Sequence, residues 1–277
     1  MRRFVDEWQA EASLALRRGD VTAASAYAAH HRLETVHPAL VADRVARQFD
    51  RLVSRGGTVA ITTASARTAR AINVEIQRRR KPCHRGVSAA LADGTFAYVG
   101  DRVATRRNAA LTTNRGTAVR NRQIWDVFGV GADGSLLVED PTRGSARLPS
   151  DYVRRYVELG WAVTGYGTQG ATTDHAIAVV EPASTRAGIY VAMTRGRDRN
   201  VAWIVDATGL ADPEDAPVPP MPSAHTPWPL ALVARRPRPG RRTRSGWRAG
   251  SSSWPPTGLR RRAFPADGRE IRMAGRA

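Results

Sequence analysis

Residues 58–80 read TVAITTASARTARAINVEIQRRR. The first six, Thr58–Thr63, are small or β-branched and uncharged, the composition of a buried strand. From about Ser65 the apolar positions Ala69, Ile72 and Ile76 recur at helical spacing, so a helix with one inward face follows the strand. A strand delivering directly into a helix is the repeating step of an α/β sheet.

Working upstream, residues 5–18 carry Val5, Trp8, Ala12, Ala15 and Leu16 at helical spacing and stop at Gly19. Asp20 reads as the N-cap of a short alanine-rich helix through His30. Pro38 opens a third helix whose stripe, Val41, Val45, Phe49 and Leu52, ends at Gly56 and Gly57. Downstream, residues 86–150 change texture to short strands, with QIWDVFGV and SLLVED split by the hairpin-type loop GADG. That pattern predicts a small barrel. Ser150 is placed to cap a short helix. Alternation then resumes with WAVT (161–164), HAIAVVE (175–181), a helix near 184–194 and NVAWIVD (200–206). The expectation is an α/β domain with a small β-barrel inserted into it.

Beyond about residue 208 periodicity is lost. Pro, Arg, Gly and Ser dominate, with Trp228, Trp247 and Trp254 interleaved, and a disordered basic tail over 209–277 is expected. Arginine and tryptophan together suit single-stranded nucleic acid, but a solvated or out-of-frame tail with no selected role is the preferred reading.

The 277 residues carry a net charge of +18, which points to an anionic partner, nucleic acid first. The basic residues are 42 Arg and one Lys, Lys81, a skew that codon bias explains in part. The scarcity of lysine excludes a chemistry. The phosphate-cradling loop of NTPases requires G-x-x-x-x-G-K-[ST], and Lys81 is followed by Pro82. No run of 18 apolar residues spans a membrane, and MRRFVDEWQA has no apolar signal core, so a cytoplasmic protein is expected. The single cysteine, Cys83, cannot close an internal disulfide. With His84 beside it, it still does not make a zinc site. In SLLVED, Glu139 and Asp140 mimic the acidic pair that holds magnesium in NTPases, but without a phosphate loop they read as a solvated strand end. His30, His31, His37 and His175 have no partner spacing and read as structural or surface residues.

Two motifs stand in tandem. WAVTGYGTQGATTD (161–174) takes a strand into a glycine-rich turn, and GIYVAMTRGRDRN (188–200) ends an apolar run in Thr194, Arg195, Gly196 and Arg197. In this order, with a strand between, they resemble motifs V and VI of superfamily 1 DNA helicases, whose forms are close to T-x-H-x-x-Q-G-x-T-x-D and Y-V-A-x-[ST]-R. The start, RRF followed by DEWQAEASLALRRGD, is similar to the segment around motif IV of conjugative relaxase–helicases of the TrwC/TraA (MobF) type. VAITTASARTARAINVEIQRRR resembles their next β–α unit, and VGDRVATRRN through RLPSDYVRRYVELGWAVT their SH3-like insertion and the return to the core. The resemblance spans about residues 1–208.

It implies a RecA-like helicase motor domain 2 with an inserted SH3-like barrel. The lobe would occupy 1–85 and 151–208, the insertion 86–150, and the tail 209–277. It implies that Arg195 reaches the γ-phosphate of ATP and stabilises charge developing in phosphoryl transfer. The bland reading of an arginine here is that it satisfies carbonyls at a helix end. Arg3 aligns with a second phosphate contact. Gln169 and Gly170 align with the part of motif V at the nucleotide, and Thr164, Tyr166 and Thr168 with the part on single-stranded DNA. Gly165, Tyr166 and Gly167 replace the aliphatic–His–basic step usual after the motif V threonine, so that histidine's DNA contact has no counterpart. ATP and Mg2+ are implied only in the complete two-lobe enzyme, and this chain alone is expected to bind neither. Motifs I to III belong to a first lobe, supplied upstream or in trans, so a truncated start is expected. A non-catalytic basic module that binds nucleic acid or a partner, or a remnant, is the alternative.

Overall fold

The computed structural model describes residues 4–80, 86–165 and 172–206, all within one unit of the chain. Ahead of the 58–80 stretch come α1 (Glu7–Arg18), α2 (Thr22–Ala29), β1 (Leu33–Val36), a 3-10 turn at Pro38–Leu40 and α3 (Val41–Val53). Gly19 ends α1 in the left-handed region at φ 81, where a side chain would be strained. Val5, expected on the inward stripe, is 70% exposed, because α1 begins only at Glu7. Asp20 acts one residue earlier than expected: α2 starts at Thr22, whose N–H donates to Asp20 Oδ1 (2.9 Å). That bond holds the Asp20 carboxyl below its usual range.

The decisive stretch folds as read, into β2 (Val59–Thr63), buried at all five positions, and α4 (Ala66–Arg80), which buries Ala69, Ile72 and Ile76. The chain then enters an antiparallel excursion: the hairpin β3 (Ala89–Ala90) and β4 (Phe96–Ala97), then β5 (Arg102–Thr105), β6 (Ile124–Val130), β7 (Leu136–Asp140) and β8 (Gly144–Leu148), and after α5 (Ser150–Tyr156) the strand β9 (Val157–Leu159). Ser150 is the first residue of α5 rather than its cap; Pro149 holds the cap position and makes no side-chain bond there. The larger sheet has the order β8-β7-β6-β5-β9, taking its last strand from beyond residue 150. Trp125, Val103, Leu136, Val138 and Leu148 fill its core.

Return to the first sheet is tightly fitted. A Cβ on Gly160 would lie 2.7 Å from the carbonyl carbon of Val103, so only glycine passes there. Buried Asn73 of α4 then staples the re-entry, donating to Leu159 O and Ala162 O (2.9 Å each) and accepting from Ala162 N (2.7 Å). The chain continues as β10 (Ala162–Thr164), β11 (Thr173–Val180), α6 (Arg186–Ala192) and β12 (Gly196–Val205).

The first sheet has the order β1-β12-β11-β2-β10, with every neighbouring pair parallel. Both faces are covered, as parallel sheets require. Ile177 and Val179 pack with Val45, Phe49, Ile72 and Ile76 on one side; Ala178 and Val180 pack with Leu16, Tyr27 and Ile189 on the other. Each fully buried Leu or Ile contributes about 1.5–3 kcal/mol. The molecule is thus α/β with a parallel sheet, interrupted between α4 and β10 by an antiparallel sheet. No helix among the described residues is long and apolar enough to cross a membrane. The expected tail and the segment with Cys83 and His84 lie outside the described residues.

Candidate functional site

At the end of α6, Thr185 caps the helix N-terminus, its hydroxyl accepting from Gly188 N (3.1 Å). At the other end the Thr194 hydroxyl donates to Tyr190 O (2.9 Å) and Val191 O (3.1 Å). Arg195 is 7% exposed, and its Nε donates to Val191 O (2.9 Å) while Nη2 lies 3.4 Å from Thr194 Oγ1. The carbonyl-satisfying contact anticipated for a helix-end arginine is therefore present. It also fixes the plane of the guanidinium.

The next residue begins β12. A Cβ on Gly196 would lie 2.5 Å from Arg199 O and 2.8 Å from Ala176 N, a close approach that only glycine permits. Fully buried Asn200 grips the Gly196 peptide, accepting from its N–H and donating to its C=O (2.9 Å each). The same amide donates to Gln9 Oε1 (3.0 Å), and Gln9 donates to Asp6 Oδ2 and Asp198 O (3.2 Å each). Val5 N donates to Arg197 O (3.1 Å), so the start of the described chain is bonded to the segment that follows Arg195.

Arg197 is used differently. Its Nη2 pairs with Asp174 Oδ1, while Asp174 Oδ2 accepts from Thr58 N (2.8 Å) and Thr58 Oγ1 (2.7 Å). The Thr58 N–H first, then Arg197 and the Thr58 hydroxyl, hold the Asp174 carboxyl far below the usual carboxylate range, and Asp174 in turn raises the Arg197 guanidinium. This pair ties the start of β12 to the start of β11 and to the residue before β2.

Arg195, Arg197 and Asp174 mark the N-terminal edge of the parallel sheet. Thr164 stands at the opposite, C-terminal edge, opposite Thr63. There the ends of β2, β10 and β11 and the first turn of α6 enclose a cleft of about 250 Å³, lined by Thr62, Thr63, Thr164, Gly165, Val180 and Gly188 among others. The strand ends of an open α/β sheet are where ligands commonly bind. The neighbouring N-terminus of α4 is already occupied. Glu181 accepts from Ala64 N (3.1 Å), Ser65 N (2.9 Å), Ser65 Oγ (3.0 Å) and Thr68 Oγ1 (2.6 Å), filling the donors that would draw an anion. Thr173 is opposite Gly196 and Thr62 opposite Ala178, so Thr63 and Thr164 stand level with Val179, six residues further along β11; at ~3.3 Å per residue the two edges lie about 20 Å apart.

Of the residues singled out from sequence, Arg195 and Thr164 are thus on one sheet but at opposite edges. Arg3, Tyr166, Thr168, Gln169 and Gly170 lie outside the described residues. Glu181, Asn73, Gln9 and Asn200 were not anticipated. A polar residue within or ending an apolar strand, as in HAIAVVE and NVAWIVD, was the signal for Glu181 and Asn200. Asp140 accepts from Thr142 N (2.9 Å) and Arg143 N (2.9 Å), a turn-forming role. Among the described residues no group of three or more His, Cys, Asp or Glu could hold a metal ion.

No family model matches this chain. It is 32% identical over 92 residues to the uncharacterized proteins MT2373 and Rv2311 of Mycobacterium tuberculosis (strains CDC 1551 / Oshkosh and H37Rv); the matched stretch is 32% of this chain and 53% of each relative. The chain thus spans about half the length of the curated relatives it matches. Among solved structures it is similar to the Pif1 helicase from Bacteroides in complex with ADP-AlF3 and ssDNA (TM-score 0.49, 14% identity, covering 76% of this chain and 52% of that one). The Bacteroides Pif1 bound to ssDNA gives a TM-score of 0.43 at 12% identity, covering 76% and 52%. The Pif1 helicase from Candida albicans gives 0.39 at 14% identity, covering 61% and 51%.

Proposed function

We propose that this chain is the second, RecA-like motor lobe of a superfamily 1 DNA helicase of the conjugative relaxase–helicase type, with its antiparallel insertion as the SH3-like barrel. The observation that carries the reading is the path of the tandem motifs across one parallel sheet. The segment 164–174 begins at the C-terminal edge with Thr164 and ends at the N-terminal edge, where Thr173 N donates to Arg195 O (3.0 Å). In this reading Thr164 meets single-stranded DNA at the C-terminal edge, and Tyr166 and Thr168, outside the described residues, are assigned to the same ligand by the motif alone. Arg195 acts on nucleotide at the other edge, and Arg3, Gln169 and Gly170, outside the described residues, are assigned to nucleotide by the motifs alone.

In a complete two-lobe enzyme, ATP with Mg2+ would supply the phosphoryl group. Arg195 contributes positive charge where negative charge develops. Its Nε bond to Val191 O fixes the plane of the guanidinium. Asn200 and Gln9 hold the Gly196 peptide and with it the backbone of Arg195. The same Nε contact favours one second reading, a non-catalytic basic module in which Arg195 only ends a helix.

The test is reconstitution. The chain alone should hydrolyse ATP no faster than background, with or without single-stranded DNA. Adding a phosphate-loop lobe should produce DNA-stimulated hydrolysis. Hydrolysis by the chain alone, abolished by Arg195→Ala, would refute the assignment.

A further inference from the structure

The insertion carries a charged face that the reading above leaves unused. Between Thr105 and Gln123 stand five arginines, Arg106, Arg107, Arg115, Arg120 and Arg122, and no acidic residue. The fold closes the two ends of this segment on each other. Asn121 N donates to Asn108 Oδ1 (2.9 Å), Arg122 N to Thr105 O (2.6 Å), and Thr105 N to Gln123 O (3.0 Å). Fully buried Thr105 donates its hydroxyl to Arg120 O (2.6 Å), and Gln123 Oε1 accepts from Arg120 N (2.8 Å). These bonds make a fixed turn of residues 120–122, all three exposed. Arg122 sits at φ 67, in the left-handed region, where asparagine or glycine is adopted at lower cost.

An aromatic surface adjoins this turn. The Arg107 guanidinium lies 5.0 Å from the centre of the Tyr156 ring, and its Nη1 donates to the Tyr156 hydroxyl. The Tyr152 hydroxyl donates to Arg107 O, fixing the backbone below. Arg106 N donates to Tyr156 O (2.7 Å), which joins this platform to the 105–123 segment. The acid beside it, Glu158, is engaged by Arg106 (2.7 Å). Exposed Arg154 and Arg155 of α5 extend the positive field.

We propose that this face of the insertion is a binding site for single-stranded DNA, in which Arg120 and Arg122 meet backbone phosphates and the Arg107–Tyr156 stack receives a base. Planar guanidinium forks match phosphate oxygens in pairs. A turn already fixed by hydrogen bonds loses little entropy on binding. A guanidinium lying on an aromatic ring is a flat, sequence-tolerant surface for a nucleobase. The site shares no residue with the sheet edges and goes beyond the reading given for them.

The test is the affinity of the full chain for a labelled oligo(dT), followed by anisotropy across a salt series. The informative variant is Arg120→Gln/Arg122→Asn, since asparagine tolerates the left-handed conformation and preserves the turn. Arg51→Gln/Arg55→Gln, an exposed pair on and just beyond α3, removes the same charge elsewhere. The first variant should weaken binding roughly ten-fold at moderate salt and reduce the slope of log K against log salt by about 1.4, at ~0.7 per single-strand phosphate contact. The α3 pair should leave the slope close to wild type, and Arg120→Lys/Arg122→Lys should retain most of it. Equal losses from the two neutralised pairs, or no loss from the first, would overturn the proposal. Thr164→Val, measured alongside, reports on the sheet edge separately, so each assignment stands or falls on its own variant.

Discussion

At the residue scale, the Asn200 amide makes three hydrogen bonds inside the molecule, two to the Gly196 peptide and one to Gln9. Asn200→Ala strands the Gly196 N–H and C=O and Gln9 Oε1 away from water. At about 1–3 kcal/mol for a buried group left unsatisfied, the loss should come to roughly 2–4 kcal/mol after relaxation, read as a lower urea midpoint. Asp174 gives a pH signature. Its pKa in the folded protein is lowered, so its contribution to stability is complete above the unfolded value of about 3.9 and is lost as pH falls below it. Thermal melts of wild type and Asp174→Asn should therefore differ by a constant amount near pH 6, and the difference should begin to shrink below about pH 4. A difference that grows on acidification would reverse the sign and exclude this ion pair as its cause. Arg195 itself was legible from sequence through its place after YVAMT. A contact to a helix-end carbonyl was expected as its bland reading and is present; that Val191 O would be the partner was not legible, because it depends on where α6 stops.

At the element scale, the join between the two sheets is the most demanding feature. Gly160→Ala would drive a Cβ into the backbone at Val103 and Ala104, which cannot yield as a flexible side chain does. A loss of about 1–3 kcal/mol is expected, with hydrogen exchange rising first in β5 and β9. Exchange rising first in β2 would show that the join lies elsewhere. The succession of strands and helices along the chain could be read directly, since β2, β10 and the second half of β11 are runs of small, β-branched and apolar residues and α3 and α4 have clear stripes. The exceptions have local causes. β1 (LETV) exposes its two central residues as an edge strand and shows no run. β8 (GSARL) alternates correctly but contains few strand-forming residues. β12 begins four residues before the apolar NVAWIVD, because GRDR is held in the sheet by Asn200 and by the Arg197–Asp174 pair rather than by hydrophobicity.

At the scale of the whole molecule, an arginine edge and a strand-end cleft stand about 20 Å apart on one sheet. The +18 charge suits a polyanionic partner. The central claim is that Arg195 acts on a phosphoryl group, and the most direct measurement is steady-state ATP hydrolysis by the chain combined with a phosphate-loop lobe, in wild type and Arg195→Ala. Nucleotide affinity should stay within several-fold of wild type, and kcat should fall by roughly 10³-fold, the scale on which arginine fingers act. Arg195→Lys should recover little, because an ammonium lacks the fork. Arg197→Ala should cost far less, since that guanidinium is already paired with Asp174. Unchanged turnover in Arg195→Ala would contradict the account and leave Arg195 as the residue that ends α6.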